Sequence, residues 1–252
     1  MSALLAFLAN FGSVAVLSAQ TFRQMLKPPL EFRLLMTQLE LGGVDSWSIT
    51  VLTAVFTGMV MASQFAIGLE PFGASLYTAK LVALGIVREL GPALTALLVG
   101  GRVGAGFTAE IGSMNVTEQI DAIRALGADP VRKLVVPRVL AMMIMLPLLT
   151  MLADLVGCAG GALITVGEVN VTWNFVMSQM NDTIDPPDLL HGLGKSIFFG
   201  YFIAIIGCWM GMRTYGGTEG VGIATTRSVV FISVTILISD FLLTRLFLAV
   251  YG

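Results

Sequence analysis

The sequence is poor in charge, in histidine and in cysteine. Only 12% of its 252 residues are charged, against roughly 25% in an ordinary soluble domain. That shortage sets aside a soluble enzyme and a disordered chain. His191 is the only histidine, so no multi-histidine metal site can be built, and with no nucleophile at readable spacing from it the sequence shows no Ser/His/Asp constellation. The two cysteines, Cys158 and Cys208, sit inside apolar runs. They are too few and too far apart for a disulfide scaffold or a zinc site. No basic field attracts nucleic acid either: 14 Lys and Arg stand against 16 Asp and Glu, a net charge of −2. What the chain has in abundance is apolar residues, 56% of the total. An all-α polytopic membrane protein is the expected class.

A membrane-crossing helix takes about 20 mostly apolar residues. Five stretches meet that requirement: 46–69, 80–105, 139–166, 190–212 and 228–250. The second is interrupted by Lys80, Arg88, Glu89 and Arg102, but LVALGIV and ALTALLVGG flank the charges. Basic residues set the orientation. With the N-terminus inside, Arg23, Lys27, Arg33, Arg124, Arg132, Lys133, Arg138, Arg213 and Arg227 all fall on inner segments. The outer segments then hold Lys195 alone, with Lys80 at a boundary, and the outer stretch 167–189 carries Glu168, Asp182, Asp185 and Asp188. Five spans place the C-terminus outside. Residues 1–42 read as an interfacial helical segment broken at Pro28 and Pro29. A signal peptide fits less well, because the first positive charge is Arg23.

Three features carry chemistry. Arg88-Glu89 lies inside a span, where charge is costly and faces a bundle interior or a wet cavity. It reads either as a structural ion pair or as the polar wall of a substrate cavity. Gly91-Pro92 follows at once and predicts a kink or a broken helix. Next, residues 117–127 between the second and third spans read as a short amphipathic helix. Ile120, Ile123 and Leu126 repeat at three-residue spacing, Thr117 is the expected N-cap, and Gly127 with Pro130 ends the helix. That helix is either an interfacial connector or a docking helix for a cytoplasmic partner. Last, Gly100-x3-Gly104, Gly157-x3-Gly161 and Gly207-x3-Gly211 have the spacing of close membrane-helix packing and are compatible with a homodimer. Asp154, Asp240 and Arg245 are further intramembrane charges; Asp240 and Arg245, five apart, are poorly placed to pair. HGLGKS at 191–196 lacks the first glycine of a phosphate-binding loop, and GAGFTA at 104–109 follows a membrane span, so neither is a nucleotide motif.

The block VRELGPALTALLVGGRVGAGFTAEIGSMNVTEQIDAIRALGADPVRKLVVPRVLA, residues 87–141, closely resembles MlaE-type permeases. The resemblance extends through Val55-Phe56-Thr57-Gly58-Met59-Val60 and Gln64, then through Gly222-Ile223-Ala224-Thr225-Thr226-Arg227 and Asp240-Phe241. It implies the membrane subunit of an MCE-associated ABC lipid transporter, with an interfacial N-terminal helix, five transmembrane helices and a homodimer. It implies that 117–127 is a coupling helix in a groove of a cytoplasmic ATPase, with Glu118, Asp121, Ala122, Ala125, Leu126 and Gly127 at the contact. It implies a phospholipid cavity near Met61, Gln64, Leu69 and Phe72, with Arg88 and Glu89 as its polar pair. The expected partners are an MCE-domain periplasmic protein and the ATPase, which a STAS-domain protein often accompanies. The expected location is a bacterial inner membrane. This chain carries no cofactor on this reading; ATP and Mg belong to the ATPase, and the chain itself is not an enzyme. The competing reading is an ion-coupled secondary transporter or channel using Asp154, Asp240 and the Arg88-Glu89 pair, although no inverted repeat supports it.

Overall fold

The computed structural model describes residues 2–27 and 31–251, and every regular element among them is helical. Pro28 and Pro29, where a break is expected, lie outside the described residues. The first helix, α1, spans Ser2–Met25. Helix α2, Phe32–Gly42, passes through a tight turn at Val44–Ser46 into α3, Trp47–Leu69. Gly73, at φ 64, turns the chain toward the second span. A residue with a side chain would be strained in that left-handed conformation.

The second span is one long helix with two widened, π-helical turns. Helices α4 (Thr78–Gly85), α5 (Gly91–Val99) and α6 (Ala105–Val116) are joined through Ile86–Leu90 and Gly100–Gly104. The first widened turn sits where Pro92 would otherwise clash with the carbonyl one turn earlier. Gly91 donates instead to Ile86, five residues back. The expected kink is therefore absorbed as a π-turn within a continuous helix. A third π-turn, Val131–Val135, leads into α8, Val136–Val169, and again precedes a proline, Pro137.

Helix α7 spans Gln119–Ala125, shorter than the expected 117–127. Thr117 does not cap it: its hydroxyl donates back to the Ser113 carbonyl at 2.8 Å. Glu118, at φ 60, makes the corner instead. The C-terminal end is as the glycine implies. Gly127 is left-handed at φ 77, its N–H bonds to Arg124, and Ala128 reaches back to Ile123 at 3.1 Å. These two bonds form a Schellman stop.

The outer stretch contains a helix that the sequence reading did not anticipate, α9 at Trp173–Asn181. Thr172 caps it, accepting from the Phe175 N–H at 3.4 Å, and Val176 and Met180 are buried on one face. A capping box formed by Asp185 and Asp188 opens α10, Pro186–Met212. The final helix, α11, spans Gly217–Tyr251. Among the described residues, five helices are long and apolar enough to cross a membrane: Phe32–Phe72, Ser75–Val116, Val131–Val169, Pro186–Met212 and Gly217–Ala249.

The glycine motifs are used within the chain. A Cβ on Gly58 of α3 would stand 1.9 Å from the Gly157 carbonyl of α8, and one on Gly160 would stand 2.7 Å from the Val55 carbonyl. Gly207 approaches the Gly104 backbone, and Gly100 and Gly104 receive Ile232 of α11. Backbones this close give the dispersion contact that holds membrane helices together. The main core gathers Ile111, Met142, Phe199, Ile203 and Ile232 from four helices. Helix α1 joins it through Leu17. At one end of the bundle, Asn115 bonds the Thr214 carbonyl at 2.8 Å, so α7 and the turn between α10 and α11 share that end.

Candidate functional site: a charged cluster inside the helix bundle

Arg88 and Glu89 occupy the first π-turn of the second span, but they do not pair with each other. Arg88 Nε donates to Asp188 Oδ1 at 2.6 Å. Glu89 Oε2 accepts from Lys195 Nζ at 2.7 Å. Lys195 also donates to Asp240 Oδ1 at 3.0 Å and to the Arg88 carbonyl at 3.2 Å. The Thr244 hydroxyl stands 3.1 Å from Glu89 Oε1 and 2.9 Å from the Asp240 carbonyl. Three helical segments thus meet in one polar network: the π-turn, α10 and α11.

Lys195 is the centre of that network. Its side chain is 0% exposed, while Asp240 and Glu89 retain 20% and 38%. A buried ammonium is tolerated only when its donors are satisfied, and three oxygens do so here. Lys195 therefore belongs to the bundle interior, a correction to its placement in an outer segment. Its depth follows from α10 beginning at Pro186, two to three helical turns before the lysine. Asp188, His191 and Lys195 lie at i, i+3 and i+7, one face of α10. That spacing was visible in the sequence, and all three residues are buried. His191 stacks on Phe247 with ring centroids 4.3 Å apart. Asp240 turns to Lys195 and leaves Arg245 exposed on α11.

The other residues expected at a cavity, Met61, Gln64, Leu69 and Phe72, are not part of this network. Met61 helps line an open groove of about 460 Å³ on α3, together with Thr53, Phe56, Thr57 and Val60. It also meets Gly85, where a Cβ would stand 2.8 Å from its Cε. Gln64 is exposed, Leu69 is partly buried, and Phe72 is 82% exposed beyond the end of α3. Within one chain, α3 flanks the second span on one side, and the charged network joins it to α10 and α11. A narrower cleft between α3 and α5 carries four threonines, Thr50, Thr53, Thr57 and Thr95. Beside it Asp154 of α8 is 6% exposed, and its Oδ1 has no hydrogen-bond partner.

The polar end of the bundle has its own brace. Arg138 is almost fully buried, pairs with Glu110 at 2.6 Å and stacks over Phe107 at 5.5 Å. It ties the end of α6 to the start of α8, the two helices that flank α7. Ile120 of α7 is buried against this end. Glu118, Asp121, Ala122, Ala125, Leu126 and Gly127 are exposed, Leu126 by 86%.

The family model for Permease MlaE matches residues 35–246. The chain belongs to the MlaE permease family. Relatives carry compatible names. A Rickettsia conorii protein named as a probable ABC transporter permease protein is 40% identical over 244 residues, 97% of this chain and 94% of the relative. The intermembrane phospholipid transport system permease protein MlaE of Haemophilus influenzae is 38% identical over 216 residues, covering 85% and 83%. The chloroplastic protein trigalactosyldiacylglycerol 1 of Arabidopsis thaliana is 37% identical over 235 residues, covering 93% and 67%. Membership in this permease family and five apolar helices make the chain a multi-pass membrane permease subunit of a lipid transporter.

Proposed function

We propose that this MlaE-family chain moves phospholipid between a bacterial inner membrane and an MCE-domain protein, driven by a separate cytoplasmic ATPase. The observation that carries the reading is the network around Lys195. It is a polar cluster inside otherwise apolar helices, next to a proline-widened turn. A few converging polar groups within apolar walls suit a lipid, with a headgroup to orient and chains to shelter. The name of the Haemophilus relative points to the same substrate class.

Two copies of the chain enclose the lipid on this reading, with Met61, Gln64, Leu69 and Phe72 facing the chains and Arg88 and Glu89 near the headgroup. Exposed apolar side chains on α3, among them Leu52, Phe56 and Val60, supply the wall. Helix α7 projects from the end braced by Arg138 and Glu110 and offers Ala122, Ala125 and Leu126 to a groove of the ATPase. The basic residues favour that end facing the cytoplasm, with the N-terminus on the same side and the C-terminus outside. ATP and Mg are held by the ATPase. Closing of the ATPase shifts the permease pair between two states, narrowing the cavity and expelling lipid. Both directions of transport use the same two states. A STAS-domain protein bound to the ATPase fits the same assembly.

Reconstitution of the chain with its ATPase and MCE-domain partners tests this. Lipid movement should require ATP, and a photo-crosslinker at Leu69 or Phe72 should capture phospholipid more than one on the outer face of α8. Movement by the chain alone in a proton or sodium gradient would overturn it in favour of an ion-coupled transporter.

A further inference from the structure

A further pocket lies at the α7 end of the bundle, away from the Lys195 network. Its volume is about 270 Å³, and it opens between α1, the end of α10 and the start of α11. The lining includes two guanidinium groups, Arg213 and Arg227, together with Asn10, Trp209 and Tyr215. Among the described residues, no carboxylate lines the pocket. Glu219, the acidic residue in the first turn of α11, is not part of the wall. Two cations without a facing anion repel each other and favour an anionic occupant.

Arg213 is held in place before any ligand arrives. Its guanidinium lies over the Trp209 ring at 5.1 Å, and Nη1 donates to Ser13 Oγ at 2.9 Å. Trp209 Nε1 donates to the same oxygen at 2.9 Å, which fixes the ring beneath the cation. The α11 side of the pocket leads into apolar surface. Phe231 sits one turn beyond Arg227 and meets Trp209 edge to face, with centroids 6.5 Å apart. Val234 and Ile238 continue the same stripe, and all three are about half exposed. Arginines at the bundle end with an apolar track leading away match an amphiphile whose head is a phosphate ester. Basic pockets between transmembrane helices bind such headgroups, and the planar guanidinium suits phosphate oxygens.

We infer that the pocket formed by Arg213, Arg227 and Trp209 binds the phosphate headgroup of an anionic lipid, with the acyl chain along Phe231, Val234 and Ile238. The inference rests on the proposed function only for the leaflet, which is the cytoplasmic one in that orientation. The site is separate from the lipid cavity proposed above and uses none of its residues.

The test is lipid binding to the full-length chain in mild detergent, read by native mass spectrometry. The probes are phosphatidylglycerol, phosphatidylcholine and inorganic phosphate. Phosphatidylglycerol should be retained in preference to phosphatidylcholine, and millimolar inorganic phosphate should not displace it. The double variant Arg213→Gln/Arg227→Gln should bind it roughly 30-fold more weakly. Ile223→Trp, which fills the pocket and keeps both charges, should also weaken it. Arg245→Gln, exposed on α11 and outside the pocket, should leave this binding unchanged. Equal retention of the two lipids, or unchanged binding in both the double variant and Ile223→Trp, would overturn the inference. Displacement by inorganic phosphate would overturn the lipid assignment and leave a plain anion site. The readout is binding and not transport, so failure here leaves the permease reading intact, and loss of transport leaves this one intact.

Discussion

Lys195 donates to the carbonyl of Arg88, four residues before Pro92, at 3.2 Å. In an α-helix the N–H of residue 92 would serve that carbonyl, and proline has none. One buried ammonium therefore satisfies two carboxylates and a carbonyl deprived of its α-helical donor. Lys195→Met leaves all three without their common donor. Loss of one partner of a buried charged pair costs about 3–5 kcal/mol. The variant should show a markedly lower thermal midpoint in detergent. Adding Glu89→Gln and Asp240→Asn should recover much of the loss, because neutral side chains no longer need a buried counter-charge. A Lys195→Met protein as stable as the parent would contradict this account.

Arg88 pairs with Asp188 and not with its neighbour Glu89. A charge swap that keeps the pair therefore has to be made with Asp188. Arg88→Asp combined with Asp188→Arg should be tolerated better than either single substitution. Arg88→Glu combined with Glu89→Arg should show no such rescue. The check is a double-mutant cycle on thermal stability, with a coupling of roughly 1–3 kcal/mol expected for the first pair. Equal coupling in both cycles would refute the assignment.

Gly91 faces Asp154 so closely that a Cβ would stand 1.7 Å from Oδ1. Gly91→Ala should destabilise the chain by about 1–3 kcal/mol through overpacking. Asp154→Ala should relieve most of that penalty in the double variant. The signature is a non-additive pair in thermal unfolding; simple additivity would show that the carboxyl moves aside without strain.

Helix α7 depends on a left-handed stop at Gly127 and a small exposed face at Ala122 and Ala125. Gly127→Val should strain the stop by about 1–3 kcal/mol and loosen α7, which limited proteolysis would reveal as faster cleavage near 117–127. Ala122→Glu or Ala125→Glu should leave the chain folded but reduce ATPase co-purification and lipid-stimulated ATP hydrolysis at least tenfold. Unchanged hydrolysis in both would exclude α7 from the coupling role.

The apolar spans were legible because a bilayer demands long apolar helices, and the chain has little else. Charge inside them was harder to read. Arg88-Glu89 stood out, yet adjacency in sequence suggested a pair, whereas neighbouring residues on a helix point about 100° apart and find different partners. Hydropathy puts Lys195 in an outer segment, because it sees the residue and not its three acceptors. Asp188, His191 and Lys195 carried a helical spacing that would have exposed the buried face. Thr117 looked like an N-cap from composition alone, but the chain enters α7 through Glu118 in a left-handed corner, and no short pattern encodes that choice. The glycine pairs signalled close packing correctly but not the identity of the neighbour, because spacing on one helix says nothing about which helix approaches.

The moorings of α1 have a consequence for biogenesis. Gln24 bonds Asp129, 105 residues later, and Ser13 receives Trp209, 196 residues later. Chains emerge from the ribosome at about 5–20 residues per second. The first helix is therefore finished about 10–40 s before its tryptophan partner exists. It must wait as an unpartnered apolar segment while the spans that will hold it are inserted. Its final seat is a late event in assembly, although it is made before every span it packs against.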